Sequence, residues 1–258
     1  MSVNLLRKYK FEGGITLIQV KNVTKKYGNF KAVDDISFEV KDGEVVGFLG
    51  PNGAGKSTTM NMITGYIDPT QGQIIVNGVD VGKRPRKAKK QIGYMPESVP
   101  LYEELTVKEF VRYMAELKLV KHKDLKEETN KLIEEVGLKE VENKLIRNLS
   151  RGYKQRVSLA GALIGNPDVI ILDEPTVGLD LKQITEIRDL IKKLGKNHTI
   201  ILSSHILSEV SQICEKVIII NKGKIVAIDT PSNLEEKTKS KNTILVTVED
   251  PNNSMESI

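Results

Sequence analysis

Residues 44–58 read EVVGFLGPNGAGKST, an apolar stretch that runs into a glycine-rich turn. The turn has the spacing G-x-x-x-x-G-K-[ST], and it lies between a strand predicted over 44–49 and a helix predicted to begin near Lys56. Glycines let the backbone curl tightly, so that successive amide groups point at one anion, and the start of a helix adds a partial positive charge. The stretch therefore predicts a strand–loop–helix unit that holds a phosphate chain.

Two side chains of this loop can act on a nucleotide. Lys56 is predicted to reach the β- and γ-phosphates of ATP, and Ser57 to offer its hydroxyl to Mg²⁺. The alternative is a glycine-rich turn that arose by chance, and the correct strand and helix on either side disfavour it. The predicted ATP-binding residues of the loop are Gly50, Pro51, Asn52, Gly53, Ala54, Gly55, Lys56, Ser57 and Thr58.

A second apolar stretch, residues 169–172, ends in the carboxylate pair Asp173 and Glu174. A buried strand beside the phosphate loop would direct Asp173 towards the metal, with a water between them. Glu174 could then orient, or accept a proton from, the water that attacks the γ-phosphate. Alone, the pair could equally be the solvated end of a strand. Its combination with the phosphate loop favours a role in hydrolysis.

The composition is that of a globular protein, with 258 residues of which 39% are hydrophobic and 28% are charged. No window approaches the roughly 18 consecutive apolar residues of a membrane-spanning helix, and we see no signal peptide. The single cysteine, Cys214, excludes an intramolecular disulfide and fits a reducing cytoplasm. The net charge of +5 suggests affinity for anions. We therefore expect a cytoplasmic protein that does not cross a membrane by itself.

The order of sequence patterns predicts an α/β fold. Short strands dominate residues 16–77, a helical pattern covers 106–165, and buried strands then alternate with helices predicted at 181–194 and 206–214. Such alternation is typical of a parallel sheet covered on both faces. The expected fold class is a P-loop NTPase-type, mainly parallel core sheet with an N-terminal antiparallel β-subdomain and an inserted α-helical subdomain.

The expected domain organisation has three parts. Residues 1–15 form an N-terminal extension, 16–230 the main domain with its helical insertion at about 97–166, and 231–258 the start of a C-terminal appendage. The appendage is expected to hold a short helix and a strand at 243–248 before it stops abruptly, so the chain is interpreted as a truncated form of a longer protein.

Residues 149–156, LSRGYKQR, open a helix ahead of the carboxylate strand. With the phosphate loop and the carboxylate pair they resemble the ABC ATPase family, whose signature usually reads Leu-Ser-Gly-Gly-Gln, and the resemblance covers nearly all of residues 16–229. It implies that Ser150 and Gly152 grip the γ-phosphate bound by a partner subunit. The chain departs from the usual Gly and Gln at Arg151 and Tyr153, as occurs in the efflux branch with separate permease subunits. A simple helix cap by Ser150 is the alternative.

Four further residues match the family in order. Asp180 stands in a loop that crosses the dimer interface, and His205 resembles the switch histidine, which with Glu174 makes the implied catalytic set. Tyr27 resembles the aromatic residue that stacks on adenine, although packing at a strand end is the alternative. Glu97 stands in place of the family's glutamine and is still a suitable ligand for a hard cation. The implied metal ligands are Ser57, Glu97 and Asp173.

The resemblance implies an ATP-binding and ATP-hydrolysing subunit of an ABC transporter, with ATP and Mg²⁺ as cofactors. Its implied partners are a second ATPase subunit, in a homodimer or a heterodimer, and an integral membrane permease that holds it at the cytoplasmic face of the membrane. Export is the implied direction, and no nucleic acid partner is expected. A DNA-repair ATPase is disfavoured because only about 90 residues, without heptads, separate the loop from the signature. A ribosome-acting ABC protein and a P-loop kinase are the other rivals.

Two segments have no role in this scheme. Residues 83–90, KRPRKAKK, are densely basic, and a solvated helix face is the favoured interpretation over nucleic-acid or membrane contact. Residues 99–102, VPLY, are apolar for a loop. In the family this region docks a short cytoplasmic helix of the permease, and ordinary packing of the helical insertion is the alternative.

Overall fold

The structure, a computed structural model, describes residues 15–98 and 101–239, and for 237–239 it describes the backbone alone. Its N-terminal part is a four-stranded antiparallel sheet in the order β2-β1-β4-β5. The long hairpin of β1 (Thr16–Tyr27) and β2 (Phe30–Lys41) turns at Gly28, where φ is +58°. Strands β4 (Gln71–Val76) and β5 (Val79–Asp80) extend the sheet on the β1 side.

The second sheet has six strands in the order β10-β9-β3-β8-β7-β6. All neighbouring pairs are parallel except β9 and β10, which form an antiparallel hairpin. Strand β3, which leads into the phosphate loop, lies between β8 and β9. The strands are β3 (Val45–Leu49), β6 (Ile92–Met95), β7 (Val169–Leu172), β8 (Thr199–Ser204), β9 (Lys216–Asn221) and β10 (Lys224–Asp229).

The α-helices of the described ranges lie mostly between these strands. Those between β6 and β7 are α3, α4 and α5, with 3₁₀ turns at Lys139–Val141 and Ile146–Asn148. The α-helices are α1 (Lys56–Ile63), α2 (Pro85–Lys89), α3 (Val107–Leu117), α4 (Leu125–Glu135), α5 (Arg151–Leu163), α6 (Leu181–Gly195), α7 (Leu207–Val210) and α8 (Pro231–Lys239).

The core sheet is buried on both faces, which is why its strands are apolar without alternation. In β7 the side chains of Val169 and Ile171 pack into the core shared with the antiparallel sheet and α1. Those of Ile170 and Leu172 pack into the opposite core, shared with helices α3–α6. The strand therefore delivers the carboxylates that follow it from a completely buried position.

The predicted fold class is confirmed, down to the antiparallel N-terminal sheet and the helices inserted before β7. The capping box at the start of α3 is also present, with Thr106 and Glu109 bonding each other's backbone amides. The proposed domain boundaries stay predictions, and the strand at 243–248 lies outside the described residues.

The helix predicted over 206–214 is wrong in its length. Helix α7 spans only four residues, no side chain caps its start, and after it the Ile213 amide bonds back three residues to the Val210 carbonyl. Its apolar side chains are fixed by the sheet instead, since Val210 and Cys214 cover Gly47 in β3. The helical spacing of the apolar residues in 206–214 therefore reflects their burial and not a continuous helix.

Among the helices of residues 15–98 and 101–239, none combines the length and the apolar character needed to cross a membrane.

Candidate active site

The phosphate loop needs glycine at two close approaches of the backbone. A Cβ on Gly50 would lie 2.4 Å from the Ile220 carbonyl oxygen, and one on Gly55 would lie 2.6 Å from the Ala32 carbonyl oxygen. Gly55 also has φ of +108°, in the region that favours glycine, and it caps the start of α1. The neighbouring strands β2 and β9 therefore shape the loop, and several loop residues line one cleft.

Lys56 is buried, with 6% of its surface exposed, and oxygen atoms surround its ammonium group. Nζ donates hydrogen bonds to the carbonyl oxygens of Gly50 (2.8 Å) and Pro51 (3.3 Å). It also forms an ion pair with Glu174, whose Oε1 atom is 3.3 Å away. A buried charge requires such partners, and phosphate oxygens can replace each of them.

The carboxylate pair is held by a serine at the end of β8. The Ser203 hydroxyl, which is fully buried, donates to Oδ1 of Asp173 and accepts from the backbone amide of Glu174 at 2.9 Å. One side chain thus fixes both carboxylates. No role was predicted for Ser203, although its position two residues before His205 could have indicated one.

Glu174 is the most constrained residue of the site. It is a non-glycine residue with φ of +49°, a conformation that costs roughly 1–2 kcal/mol. Its Oε2 atom lies 3.0 Å from Nδ1 of His205, and because a carboxylate only accepts, that ring nitrogen donates. Its Oε1 atom is buried and receives no hydrogen bond, although the Lys56 ammonium is close. A carboxylate oxygen in this state is available to a water molecule.

The cleft above the loop has a volume of about 430 Å³. The exposed aromatic residues Tyr27 and Phe30, which are backbone partners in the β1–β2 hairpin, line part of it. The predicted residue Tyr27 is thus joined by Phe30, which was not predicted because nothing in its local pattern set it apart. The rest of the lining consists of Ala32, Asn52, Gly53, Gly55, Lys56, Ser57, Thr58, Glu97 and Glu174.

The cleft also contains oxygen donors, which could supply some but not all of the ligands of a magnesium ion. The Ser57 hydroxyl and the Glu97 carboxylate line the cleft, and Asp173 lies beside Glu174. Within the ranges that the structure describes, no group of three or more His, Cys, Asp or Glu side chains could hold a metal by itself. Mg²⁺ commonly combines one or two carboxylates with substrate phosphates. These residues therefore fit a metal whose remaining ligands come from the nucleotide.

The signature residues form a separate pocket of about 380 Å³. Ser150 caps α5, since its hydroxyl accepts from the Tyr153 amide at 3.5 Å. The helix cap considered as the alternative role of Ser150 is therefore present. Gly152 is buried against Gln183, where a Cβ would lie 3.0 Å from the Gln183 side chain. This pocket and the phosphate cleft have no lining residue in common.

The loop between the carboxylates and α6 links the two pockets. Asp180 caps α6 by accepting from the Gln183 amide at 2.8 Å, and it also lines the signature pocket. Gln155, from the signature helix, donates to the Pro175 carbonyl oxygen at 3.0 Å. The guanidinium of Arg151 lies directly on Gly178, where any Cβ would clash with it. The departure at Arg151 therefore makes a contact within its own chain.

Tyr94 supports the carboxylate strand from the neighbouring β6. Its hydroxyl donates to Oδ1 of Asn61 at 3.0 Å. Burial first, and then the negative charge of Asp173, raises the pKa of Tyr94 well above its usual value. The ring therefore stays neutral and keeps its hydrogen bond. The sequence analysis gave no function to this residue.

The family model for the ABC transporter matches residues 33–177, more than half of the chain. The chain belongs to the ABC transporter family. As an ABC transporter chain it is an ATP-binding subunit and an ATPase, and the prediction from the signature, loop and carboxylates is confirmed at that level.

Two relatives of this ABC subunit have named functions. It is 37% identical over 233 residues to the linearmycin resistance ATP-binding protein LnrL of Bacillus subtilis, with 90% of this chain and 75% of LnrL covered. It is 42% identical over 212 residues to the bacitracin transport ATP-binding protein BcrA of Bacillus licheniformis, with 81% and 68% covered.

Solved structures agree with this ABC fold. An ATP-binding subunit of an ABC transporter superposes with a TM-score of 0.77 at 31% identity, covering 88% of this chain and 95% of that one. The dimeric cassette MJ0796, in a post-hydrolysis state bound to ADP and Pi, superposes with a TM-score of 0.75 at 27% identity, covering 83% and 99%.

Proposed function

We propose that this subunit binds Mg·ATP in the cleft at Lys56, hydrolyses it with Glu174 as the base, and powers export through a separate membrane permease. One observation carries the proposal: Glu174 contacts both Lys56 and His205 at the C-terminal ends of adjoining parallel strands, beside the glycine-rich loop. That edge of a parallel sheet is where α/β proteins bind ligands.

Phosphate binding follows from the position of Lys56. Its ammonium contacts two loop carbonyls and Glu174, and phosphate oxygens compete for it. When Lys56 turns to the β- and γ-phosphates, Glu174 loses its cation and its Oε1 atom can accept from a water molecule. Binding of the substrate thus releases the base.

His205 positions that base and contacts the γ-phosphate. The hydrogen bond from Nδ1 to Oε2 of Glu174 fixes the carboxylate and leaves Oε1 for water, since the two oxygens then have separate partners. The other ring nitrogen is directed elsewhere and can bond a phosphate oxygen. Glu174 and His205 are therefore our catalytic residues, and Ser203 is a positioning residue.

Ser57, Glu97 and Asp173 would hold Mg²⁺, either directly or through water. When bound, the metal neutralises charge that develops on the transferred phosphoryl group. Ser203 holds Asp173 in place by donating a hydrogen bond from its hydroxyl to Oδ1. The metal assignment thus rests on Ser57 and Glu97, which line the cleft, and on Asp173 beside Glu174.

A second ATPase subunit completes the site. Ser150 and the amide of Gly152 belong to a pocket separate from the cleft of their own chain, so they are placed to serve the nucleotide of another chain. The dimeric state of the MJ0796 cassette supports this arrangement. A homodimer and a heterodimer with another ATPase subunit both fit, with Asp180 at the interface.

We assign permease binding to an apolar groove of about 370 Å³ between the core sheet and the inserted helices. It is lined by Tyr94 and Ile92 on one side and by Phe110 and Met114 on the other, and it lies next to Glu97 through Pro96. A short amphipathic helix of the permease fits such a groove. Docking would hold the subunit at the cytoplasmic face of the membrane. Of the apolar loop 99–102, Val99 and Pro100 lie outside the described residues.

We propose that the transporter exports an antibiotic or another amphipathic compound. This proposal rests on the relatives named for linearmycin resistance and bacitracin transport. Recovery of a permease from detergent-solubilised membranes supports transport, whereas recovery of ribosomes or DNA would support a rival function.

Replacing the base tests the proposal. Glu174→Gln keeps the shape of the side chain, so we expect Mg·ATP binding to persist, hydrolysis to fall by roughly 100-fold or more, and an ATP-bound dimer to accumulate in light scattering. Glu140→Gln, the same change at an exposed position, should alter none of these. Hydrolysis by Glu174→Gln at the normal rate would disprove the assignment of the base.

A further inference from the structure

The basic run at residues 83–90 forms one exposed surface, which we call the basic surface. It consists of helix α2 with the residues on either side, and all six of its cationic side chains are exposed. Its charges exceed the net charge of +5 of the whole chain, so the rest of the chain is close to neutral. Its members are Lys83, Arg84, Arg86, Lys87, Lys89 and Lys90.

These charges have few partners within the protein. Lys83 lies 3.7 Å from Asp80, and among the described residues no ion pair involves any of the other five. Elsewhere the chain mixes its signs, as in α4, where two lysines lie among four glutamates. A single-sign surface with unpaired charges attracts an anionic partner.

The fold presents the basic surface rigidly. Ala88 is completely buried and anchors α2 against the sheet, while Pro85 starts the helix and the Arg84 carbonyl accepts from the Ala88 amide at 3.1 Å. Asp80 accepts from the Lys83 amide at 3.0 Å. The charges therefore project from one fixed turn and not from a loose tail.

The position of the basic surface indicates its partner. Lys89 also lines the apolar groove that we assign to the permease, and that groove carries a second lysine, Lys118, and no acidic residue. Packing around the Lys118 ammonium lowers its pKa by desolvation, although the residue as a whole is exposed. A permease lies in the bilayer, so the face that docks it, and the basic surface beside it, are directed at the membrane.

We propose that the basic surface binds anionic phospholipid headgroups next to the docked permease. This inference rests on the proposed docking face. Clusters of four to eight basic residues at a membrane surface typically bind anionic lipid, each residue strengthening binding by roughly fivefold. Single-stranded nucleic acid is the less suitable partner, because residues 83–90 contain no aromatic side chain on which a base could stack. Duplex DNA is tested directly as a competing partner below.

Sedimentation with lipid vesicles tests this surface on the full chain. We expect binding to phosphatidylcholine vesicles only when they contain phosphatidylglycerol, and a loss of that binding at high salt. The triple variant Arg84→Gln, Arg86→Gln and Lys87→Gln, which leaves Lys89 in the groove, should bind at least tenfold more weakly. The matched control is Lys192→Gln, Lys193→Gln and Lys196→Gln, which removes equal charge from exposed positions at the end of α6 and should bind like the unaltered chain.

The lipid surface would be overturned by equal weakening in both triple variants or by no preference for phosphatidylglycerol. Tighter binding to duplex DNA than to the vesicles, lost in the α2 variant alone, would overturn it in favour of a nucleic-acid partner. ATP hydrolysis by the α2 variant, measured in parallel, should be normal. If hydrolysis and vesicle binding are intact but no permease is recovered with the chain, the proposed function fails and the lipid surface stands.

Discussion

The two halves of the proposed ATP site differ in how complete they are within one chain. In the phosphate-loop half, Lys56 is buried and contacts oxygens of its own loop and of Glu174. In the signature half, Ser150 is exposed and its hydroxyl accepts a long hydrogen bond from the Tyr153 amide. The first half has its charged partners within its own chain, whereas the second leaves a polar side chain exposed. In the proposed mechanism this difference separates binding, which needs one chain, from hydrolysis, which needs two.

The largest expected effect is that of Lys56→Met, which removes the cation of the self-contained half. We expect Mg·ATP binding to weaken by roughly 10- to 100-fold, since a hydrogen bond to a charged group contributes about 1.5–3 kcal/mol, and hydrolysis to be lost. Titration calorimetry measures the binding, and exposed Lys131→Met is the control. Normal affinity in Lys56→Met would show that the loop does not bind the phosphates.

Ser150→Arg should reduce ATP hydrolysis without affecting ATP binding. This variant therefore tests whether the two halves of the site have separate roles. Binding to one chain should stay unchanged, while turnover falls by roughly 100-fold, as for loss of a donor to a transition-state oxyanion. In a homodimer, mixing Ser150→Arg with Lys56→Met leaves one pocket with an intact loop and an intact signature. We therefore expect the mixture to hydrolyse ATP faster than either variant alone. A mixture no faster than its components would contradict the sharing of pockets in a homodimer.

Ser203→Ala tests whether the Ser203 hydroxyl positions the carboxylates Asp173 and Glu174. It leaves the buried amide of Glu174 and Oδ1 of Asp173 without their partner, so we expect a loss of stability of about 1–3 kcal/mol. Turnover should fall by roughly tenfold while KM changes little, because the residue positions the carboxylates and does not bind phosphate. Ser211→Ala is the control, and equal losses in kcat and affinity would indicate a merely structural role.

Phe30→Ala should have the smallest effect and concerns the adenine end of the cleft. If its exposed ring stacks on the base with that of Tyr27, ATP binding should weaken by roughly fivefold, since such stacking contributes about 1–3 kcal/mol per base. Binding of inorganic triphosphate, which has no base, should be unchanged. Calorimetry with both ligands checks this, and Tyr27→Ala should behave alike. Equal weakening for both ligands would exclude stacking.

Much of the site could be read from the sequence because its chemistry is local. The phosphate loop needs glycines and a lysine at fixed spacing along one turn, and the carboxylate pair follows directly on a buried strand. Lys56 and Glu174 were identified in this way and His205 from the family resemblance, and in the structure Glu174 contacts both of the others. Ser203 was missed because the carboxylates that it joins are distant in the sequence, and Phe30 because nothing in its local pattern set it apart.

By itself the sequence determined the fold class, the loop and the family, since periodicity and short-range spacing are properties of consecutive residues. Only the tertiary structure decided that β7 lies beside β8, and hence that Ser203 joins the two carboxylates. It also decided that Arg151 rests on Gly178 and that the basic surface adjoins the apolar groove. The physical reason is that sheet order and packing against other elements place these groups together, and neither is written in any one stretch of the chain.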